Sequence, residues 1–121
     1  MTYLKYVVCA SSLLALFAVG CGGSSVPLDK LTDAKATIRA AQEAGAQGTP
    51  QAALHLKMAN DELVSGQKAM DDKDNDRARL LLNQAQSDAD LSLALARGTQ
   101  EKQSAQDAQA KIDALLKQSQ Q

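Results

Sequence analysis

The chain has 121 residues, with 13 basic and 14 acidic side chains and a formal net charge of −1. This length leaves room for one small domain and excludes a multidomain enzyme. From Cys21 onward the chain contains 19 large aliphatic residues and 19 alanines but no aromatic residue, which is too little bulk for a thick globular core. The composition therefore favours slender, alanine-rich helices.

Residues 1–20 are typical of a signal peptide. Lys5 precedes an uncharged, largely apolar stretch over residues 6–19, which is followed by Gly20 and Cys21. Fourteen residues in a helix span about 21 Å, less than the roughly 30 Å of a bilayer's hydrocarbon core. We therefore predict a signal peptide that is removed, and not a permanent membrane span.

The stretch Leu16-Phe17-Ala18-Val19-Gly20-Cys21 resembles the lipobox of bacterial lipoproteins. That resemblance implies cleavage between Gly20 and Cys21 and a covalent lipid on Cys21. Gly22 follows the cysteine where an Asp would signal retention in the inner membrane, so the same resemblance implies an outer-membrane location facing the periplasm. The alternative is an ordinary thiol after a secretory signal. Cys9 would leave with the signal peptide, so the mature chain would have no internal disulfide.

The mature chain divides into a flexible tether over residues 21–27 and a helical domain over residues 28–121. We predict a first helix from Leu28 to Gln47, ended by glycines, and a second from Pro50 to Asp71 with Thr49 as its N-cap. A third helix begins near Asn75 and continues to about residue 118. The apolar stripes that predict them are Leu31, Ala34, Ile38, Ala41 and Gly45; Ala52, Leu56, Ala59, Leu63, Gly66 and Met70; and Ala78, Leu82, Ala85, Ala89 and Leu93, with Ala105, Ala108, Ile112 and Leu115 further along.

The acidic segment over residues 71–76 separates the second and third helices, and we predict a tight turn capped by Asp74 or Asn75. A calcium loop is the functional alternative, because the aspartates at 72, 74 and 76 match the first, third and fifth positions of an EF-hand. Arg77 stands where that loop needs Gly, and Asn83 stands where it needs a bidentate Glu. The turn is therefore favoured.

The fold class predicted is all-α, and two arrangements are open. Residues 28–71 and 75–118 are equal in length, which favours an elongated antiparallel hairpin with one interrupted arm, about 66 Å long. The alternative is a compact three-helix bundle with a projecting C-terminal helix. Only the second leaves the apolar residues after Gly98 without neighbours.

The helical residues resemble those of a bacterial lipoprotein family, the domain of unknown function 4398. The resemblance covers residues 31–97, about two thirds of the mature chain. It is carried by Ala34, Ile38 and Ala41 before Thr49-Pro50, by Ala59 and Leu63, by the turn at Asp74, and by Ala78-Arg79, Ala85-Gln86-Ser87-Asp88-Ala89 and Leu93-Ala94. Members are envelope lipoproteins with no agreed activity, some of them joined to a peptidoglycan-binding domain.

No catalytic or metal-binding set is recognisable in the sequence. His55 is the only histidine, and a solvated or rim histidine is the favoured interpretation. Paired acids occur at residues 71 and 72 and at 88 and 90, but acid–base catalysis needs a carboxyl in a desolvated cleft. The acidic balance of the mature chain and its lack of stacking aromatics disfavour nucleic acid as a partner.

These observations lead to a functional hypothesis. We expect a lipid-anchored, non-enzymatic envelope protein without a cofactor that acts as a helical spacer or as an adaptor for another envelope protein. A small binding module for peptidoglycan or a hydrophobic ligand is the alternative. The partner, the biological process and the oligomeric state stay open.

Overall fold

The computed structural model describes residues 25–120. Gly20, Cys21 and the signal peptide lie outside the described residues, and so does most of the tether. Within the described range the elements are helix α1 (Leu28–Glu43), a 3₁₀ turn (Ala46–Gly48), helix α2 (Pro50–Asp71) and helix α3 (Asn75–Ser119). The predicted all-α class is confirmed, because the described residues contain helices and turns but no strand. None of these helices is both long enough and apolar enough to cross a bilayer.

Helix α1 ends four residues before the predicted boundary. Gly45 adopts the left-handed conformation with φ of 72°, which only glycine reaches readily, and its N–H donates to the Gln42 carbonyl at 3.0 Å. The chain then forms the 3₁₀ turn and reverses direction. Gln47, which we predicted to be the last helical residue, therefore belongs to this turn.

The starts of α2 and α3 agree with the predicted bounds but use different caps. Pro50 occupies the first helical position of α2 and Thr49 is its extended N-cap residue, but the Thr49 hydroxyl makes no capping hydrogen bond. At the start of α3 the Asp74 carboxylate accepts a hydrogen bond from the Arg77 N–H at 3.2 Å. The predicted Asp74 cap and the predicted N-cap position of Thr49 are therefore confirmed, whereas the expectation that the Thr49 hydroxyl makes the capping bond is wrong.

The three helices form a bundle, and the predicted elongated hairpin is not the arrangement observed. Helix α3 packs against both α1 and α2. Near its start, the Arg79 guanidinium donates to the Ser25 carbonyl at 3.4 Å, and 21 residues later the Gln100 amide donates to the Ala44 carbonyl at 3.1 Å. These contacts lay α1 parallel to the first half of α3. The reversal after Gly45 makes this possible, because it folds α1 back beside α2 instead of extending that arm.

Small residues fill the interior of the bundle. The buried positions recur at three- and four-residue intervals on each helix, as predicted, and most are alanines, so the helix axes can approach closely. They are Ala34, Ile38 and Ala41 of α1, Ala46 of the turn, Ala52, Leu56, Ala59, Gly66 and Ala69 of α2, and Ala78, Leu82, Ala85, Ala89, Ser92 and Ala96 of α3. The last of these, Ala96, marks the end of the packed region.

The bundle has two distinct ends. The turn end contains the α2–α3 turn and the first described residues, with Pro27 fully buried there. The far end contains the reversal at Gly45, from which α3 continues alone. Any tether attached to Ser25 therefore starts at the end opposite to the free part of α3.

Candidate functional site

The most unusual feature of the structure is the last part of α3, residues 101–119, which we call the projecting segment. Every residue in it is exposed, although the helix is unbroken through this stretch. At 1.5 Å per residue the projecting segment extends about 28 Å beyond the bundle. It needs no nucleation of its own because it continues a packed helix, and the Gln109 amide donates to the Asp113 carboxylate at 2.9 Å within it.

The projecting segment carries a line of apolar residues that we call the outer stripe: Ala105, Ala108, Ile112 and Leu115. Ile112 and Leu115 are 51% and 64% exposed, and the adjacent Leu116 is 56% exposed. Large aliphatic side chains arranged in line on an exposed helix are a mark of an interaction surface. This segment is therefore the first candidate functional site.

The outer stripe does not continue the seam of the bundle. Ile112 follows Ala96 by 16 residues, which at about 100° per residue places it about 160° around the helix axis from the buried seam. By the same arithmetic all four residues of the outer stripe lie between about 100° and 180° from Ala96. Helix α3 thus has one apolar face for its own bundle and a second, further along, that faces away from it.

The second candidate is a polar cluster on the flank of α2 and α3. His55 Nδ1 lies 2.7 Å from Asp88 Oδ1, and the two side chains are 26% and 18% exposed. Since an ionised carboxylate only accepts hydrogen bonds, the ring nitrogen is the donor of this contact. One helical turn further along α3, the buried Ser92 hydroxyl donates to the Ala52 carbonyl at 2.7 Å. Together these two bonds fix the register between α2 and α3.

Glu62 belongs to the same cluster and is electrostatically unfavourable there. Partial burial raises the pKa of the Glu62 carboxyl, and the charge of Asp88, hydrogen bonding with Asp88 and the charge of Asp61 raise it further. Its Oε2 atom is buried and has no hydrogen-bond partner among the described residues. Two neighbouring carboxylates hold a proton more tightly than one, so this cluster favours proton uptake at Glu62.

The structure separates one of the two acidic pairs and leaves the other exposed. Asp88 is half-buried and faces His55, whereas Asp90 is exposed on the other side of α3. Asp71 and Asp72 are exposed at the end of α2. The partnership between His55 and Asp88 was missed because the two are 33 residues apart, and only the antiparallel register of α2 and α3 brings them together.

The α2–α3 turn has the geometry of a cap and not of a cation loop. Lys73 adopts a left-handed conformation with φ of 61°, and the Asp74 carboxylate accepts the capping hydrogen bond from the Arg77 N–H. Residues 25–120 contain no group of three His, Cys, Asp or Glu side chains that could hold a metal ion. An open depression beside the turn, about 290 Å³ in volume, is lined by Ser65, Lys68, Ala69, Asp72, Asp74 and Arg77. Its lining is of mixed charge.

Comparison with known proteins identifies the family. No curated protein and no solved structure matches the chain. A family described as Domain of unknown function (DUF4398) matches over residues 29–110, which is more than half of the chain and includes nearly all of the bundle and half of the projecting segment. The resemblance to this family is confirmed: the chain belongs to the DUF4398 family.

Proposed function

We propose that the chain is a lipid-anchored, non-enzymatic protein of the bacterial cell envelope that acts as a helical spacer or protein–protein adaptor. The observation that carries this proposal is the projecting segment, which exposes the outer stripe beyond the end of the bundle. Single exposed aliphatic side chains, such as Leu54 and Leu80 of the bundle, are common on monomeric domains, but a contiguous group such as Ile112, Leu115 and Leu116 favours a contact with another molecule. The lipid would supply location and the helix would supply reach.

The placement of the two chain ends supports the spacer role. The tether leaves the bundle near Arg79, at the turn end, and the projecting segment leaves it at the far end. Residues 79–119 of α3 span about 60 Å at 1.5 Å per residue. A chain anchored through Cys21 would therefore present the outer stripe several nanometres from the bilayer, in the outer-membrane case within the periplasm.

The polar cluster supports a non-enzymatic role. His55, Glu62 and Asp88 lie on the flank of a two-helix contact, and His55 and Asp88 bond to each other across it. A general acid–base pair needs a substrate cleft beside it. We therefore interpret this cluster as a contact that sets the α2–α3 register.

The anchor is tested by metabolic labelling with radioactive palmitate in a Gram-negative bacterium. We expect the wild-type chain to take up label and to be shortened by the signal peptide, and Cys21→Ser to do neither. Cys9→Ser is the matched control, because it removes the other cysteine and should be labelled and processed normally. An unlabelled wild-type chain, or equal labelling of Cys21→Ser, would refute the lipid anchor.

The adaptor role is tested by crosslinking in intact cells followed by purification of the chain. We expect wild-type protein to yield crosslinked species that a chain ending at Gln100 does not, because that truncation removes the projecting segment and leaves the bundle residues in place. Equal crosslinking of both would refute the assignment to this segment. Cosedimentation with purified cell wall would instead support the alternative, a peptidoglycan-binding module.

A further inference from the structure

We propose that the partner of the outer stripe is the same stripe of a second copy of this chain, with the two projecting segments side by side and parallel. This inference rests on the proposed function, because lipid anchors place copies in one membrane with the same orientation. Two such copies are related by a two-fold axis along the membrane normal, and this symmetry makes their α3 helices parallel.

The spacing of the outer stripe fits a two-stranded coiled coil. Its members follow one another at intervals of three, four and three residues, which is the a–d–a–d pattern of a heptad repeat. Ile112 then occupies an a position and Leu115 a d position. A β-branched residue at a with Leu at d is the combination that favours parallel dimers. The alanines at 105 and 108 allow the two helices to approach closely nearer the bundle.

The direction of the outer stripe leaves room for the second copy. Because the stripe lies on the side of α3 away from Ala96, helices α1 and α2 of both copies would lie on the outside of the pair. The bundles therefore do not obstruct contact between the projecting segments. Had the stripe continued the buried seam, α1 and α2 of one copy would stand in the way of the other.

The charges of the projecting segment favour a second copy over a lipid surface. The segment carries three acidic and three basic side chains, Glu101, Asp107, Asp113, Lys102, Lys111 and Lys117, so two copies bring no net charge together. A helix that lies on an anionic membrane has an excess of Lys and Arg on its polar face, which this one lacks. Glu101 lies on the line of the stripe one turn before Ala105, and its charge limits the contact to the residues beyond it.

The apolar surface available predicts a weak dimer. Ile112, Leu115 and Leu116 are between 51% and 64% exposed in the single chain, so pairing buries about half of three aliphatic side chains per copy. This is far less than a stable interface of about 1,200–2,000 Å² requires. The pair should therefore dissociate in dilute solution and form where anchoring confines the copies to effective concentrations of order millimolar.

The test is disulfide crosslinking in bacterial membranes of full-chain variants that each carry one introduced cysteine in addition to Cys9 and Cys21. Under mild oxidation, we expect Ile112→Cys and Leu115→Cys to form a species of twice the chain mass at several times the yield of Ala110→Cys. Ala110 is the matched control, since it is exposed on the same segment but lies about 180° from the centre of the stripe. Wild-type chain gives the background.

Equal yields at residues 110 and 112 would overturn the proposal, as would adducts to a protein of another mass at residue 112. To separate this inference from the lipid anchor, Ile112→Cys is also made with Cys9→Ser and Cys21→Ser and is purified. This protein should still crosslink to itself at millimolar but not micromolar concentration. If the wild-type chain takes up no palmitate but the purified variant still crosslinks at millimolar concentration, the lipid anchor is refuted and the pairing is not. If Ile112→Cys crosslinks neither in membranes nor as purified protein at millimolar concentration, the pairing is refuted.

Discussion

Gly66 and Gly98 are both helical glycines, yet we expect their replacement by Ala to have opposite effects. A Cβ at Gly66 would lie 2.8 Å from Leu82 Cδ2 and 2.9 Å from Leu82 Cγ, whereas a Cβ at Gly98 meets nothing within 4 Å. Leu82 is fully buried and its Cγ is not a free side-chain end, so it cannot simply move aside. The first substitution overpacks the α2–α3 seam, and the second fills open space.

The magnitudes follow from two terms. Gly→Ala in a helix interior stabilises by about 1 kcal/mol, and overpacking a close contact costs about 1–3 kcal/mol. We therefore expect Gly98→Ala to raise the free energy of unfolding by about 1 kcal/mol and Gly66→Ala to lower it by up to about 2 kcal/mol. The two variants should differ in free energy of unfolding by about 1–3 kcal/mol, and this difference reports the overpacking alone because the helix-propensity term is the same in both.

Urea unfolding followed by circular dichroism at 222 nm measures both variants against the wild type. Equal stability of Gly66→Ala and Gly98→Ala would show that a Cβ at residue 66 does not clash with Leu82. A double variant with Leu82→Ala provides a further check, because removal of the Leu82 side chain should abolish the penalty at residue 66. The two substitutions should then be non-additive, with Gly66→Ala neutral or stabilising in the Leu82→Ala background.

Three further outcomes follow from the packing and the charges. Glu62→Gln should raise the melting temperature at pH 7 by an amount equivalent to less than about 1 kcal/mol. Because the folded-state pKa of Glu62 is raised, the folded protein binds this proton more tightly than the unfolded chain does, and wild-type stability falls as the pH rises from 4.5 through the folded pKa. The gain in melting temperature of Glu62→Gln should therefore vanish below pH 4.5. If the gain persists there, the charge of Glu62 is not its cause. Ser92→Val should lower the free energy of unfolding by about 1–3 kcal/mol in urea titrations, since it adds volume to a fully buried position and removes the hydrogen bond to the Ala52 carbonyl. An unchanged urea midpoint would contradict the close packing of Ser92 between α2 and α3. A chain ending at Gln100 should keep its free energy of unfolding in urea within about 0.5 kcal/mol of the full chain, because the projecting segment contributes no buried residue. A larger loss would show that the segment packs on the bundle.

Local features of this fold follow from its sequence, while the arrangement of its helices does not. Pro50, the Asp74 cap and the three- and four-residue spacing of alanines and leucines predict the helices and their buried faces. The end of α1 was placed too late because Ala46 and Gln47 are good helix formers, whereas the left-handed Gly45 had already ended the helix. Whether the chain then continues or reverses depends on backbone angles over residues 44–49. Equal arm lengths could not decide this.

The candidate sites likewise combine features that the sequence shows with features that depend on the arrangement of the helices. The outer stripe is visible in the sequence from Ala105 to Leu115, but its isolation appears only once α1 is known to end beside Gln100. The contact between His55 and Asp88 needs the exact pairing of two helices, which neither residue specifies alone. Glu62 gave no signal in the sequence, since its raised pKa comes from burial and from Asp88 across the seam.

We propose that the projecting segment binds a partner in the cell envelope through its outer stripe. The most direct test of this binding places a photo-crosslinking amino acid at each of residues 101–119 in turn and measures the crosslink yield in intact cells. We expect maxima at residues 105, 108, 112 and 115 and minima near 106, 110 and 114, which face other directions on the helix. A yield that is flat along the segment, or highest at residues 110 and 114, would contradict this proposal.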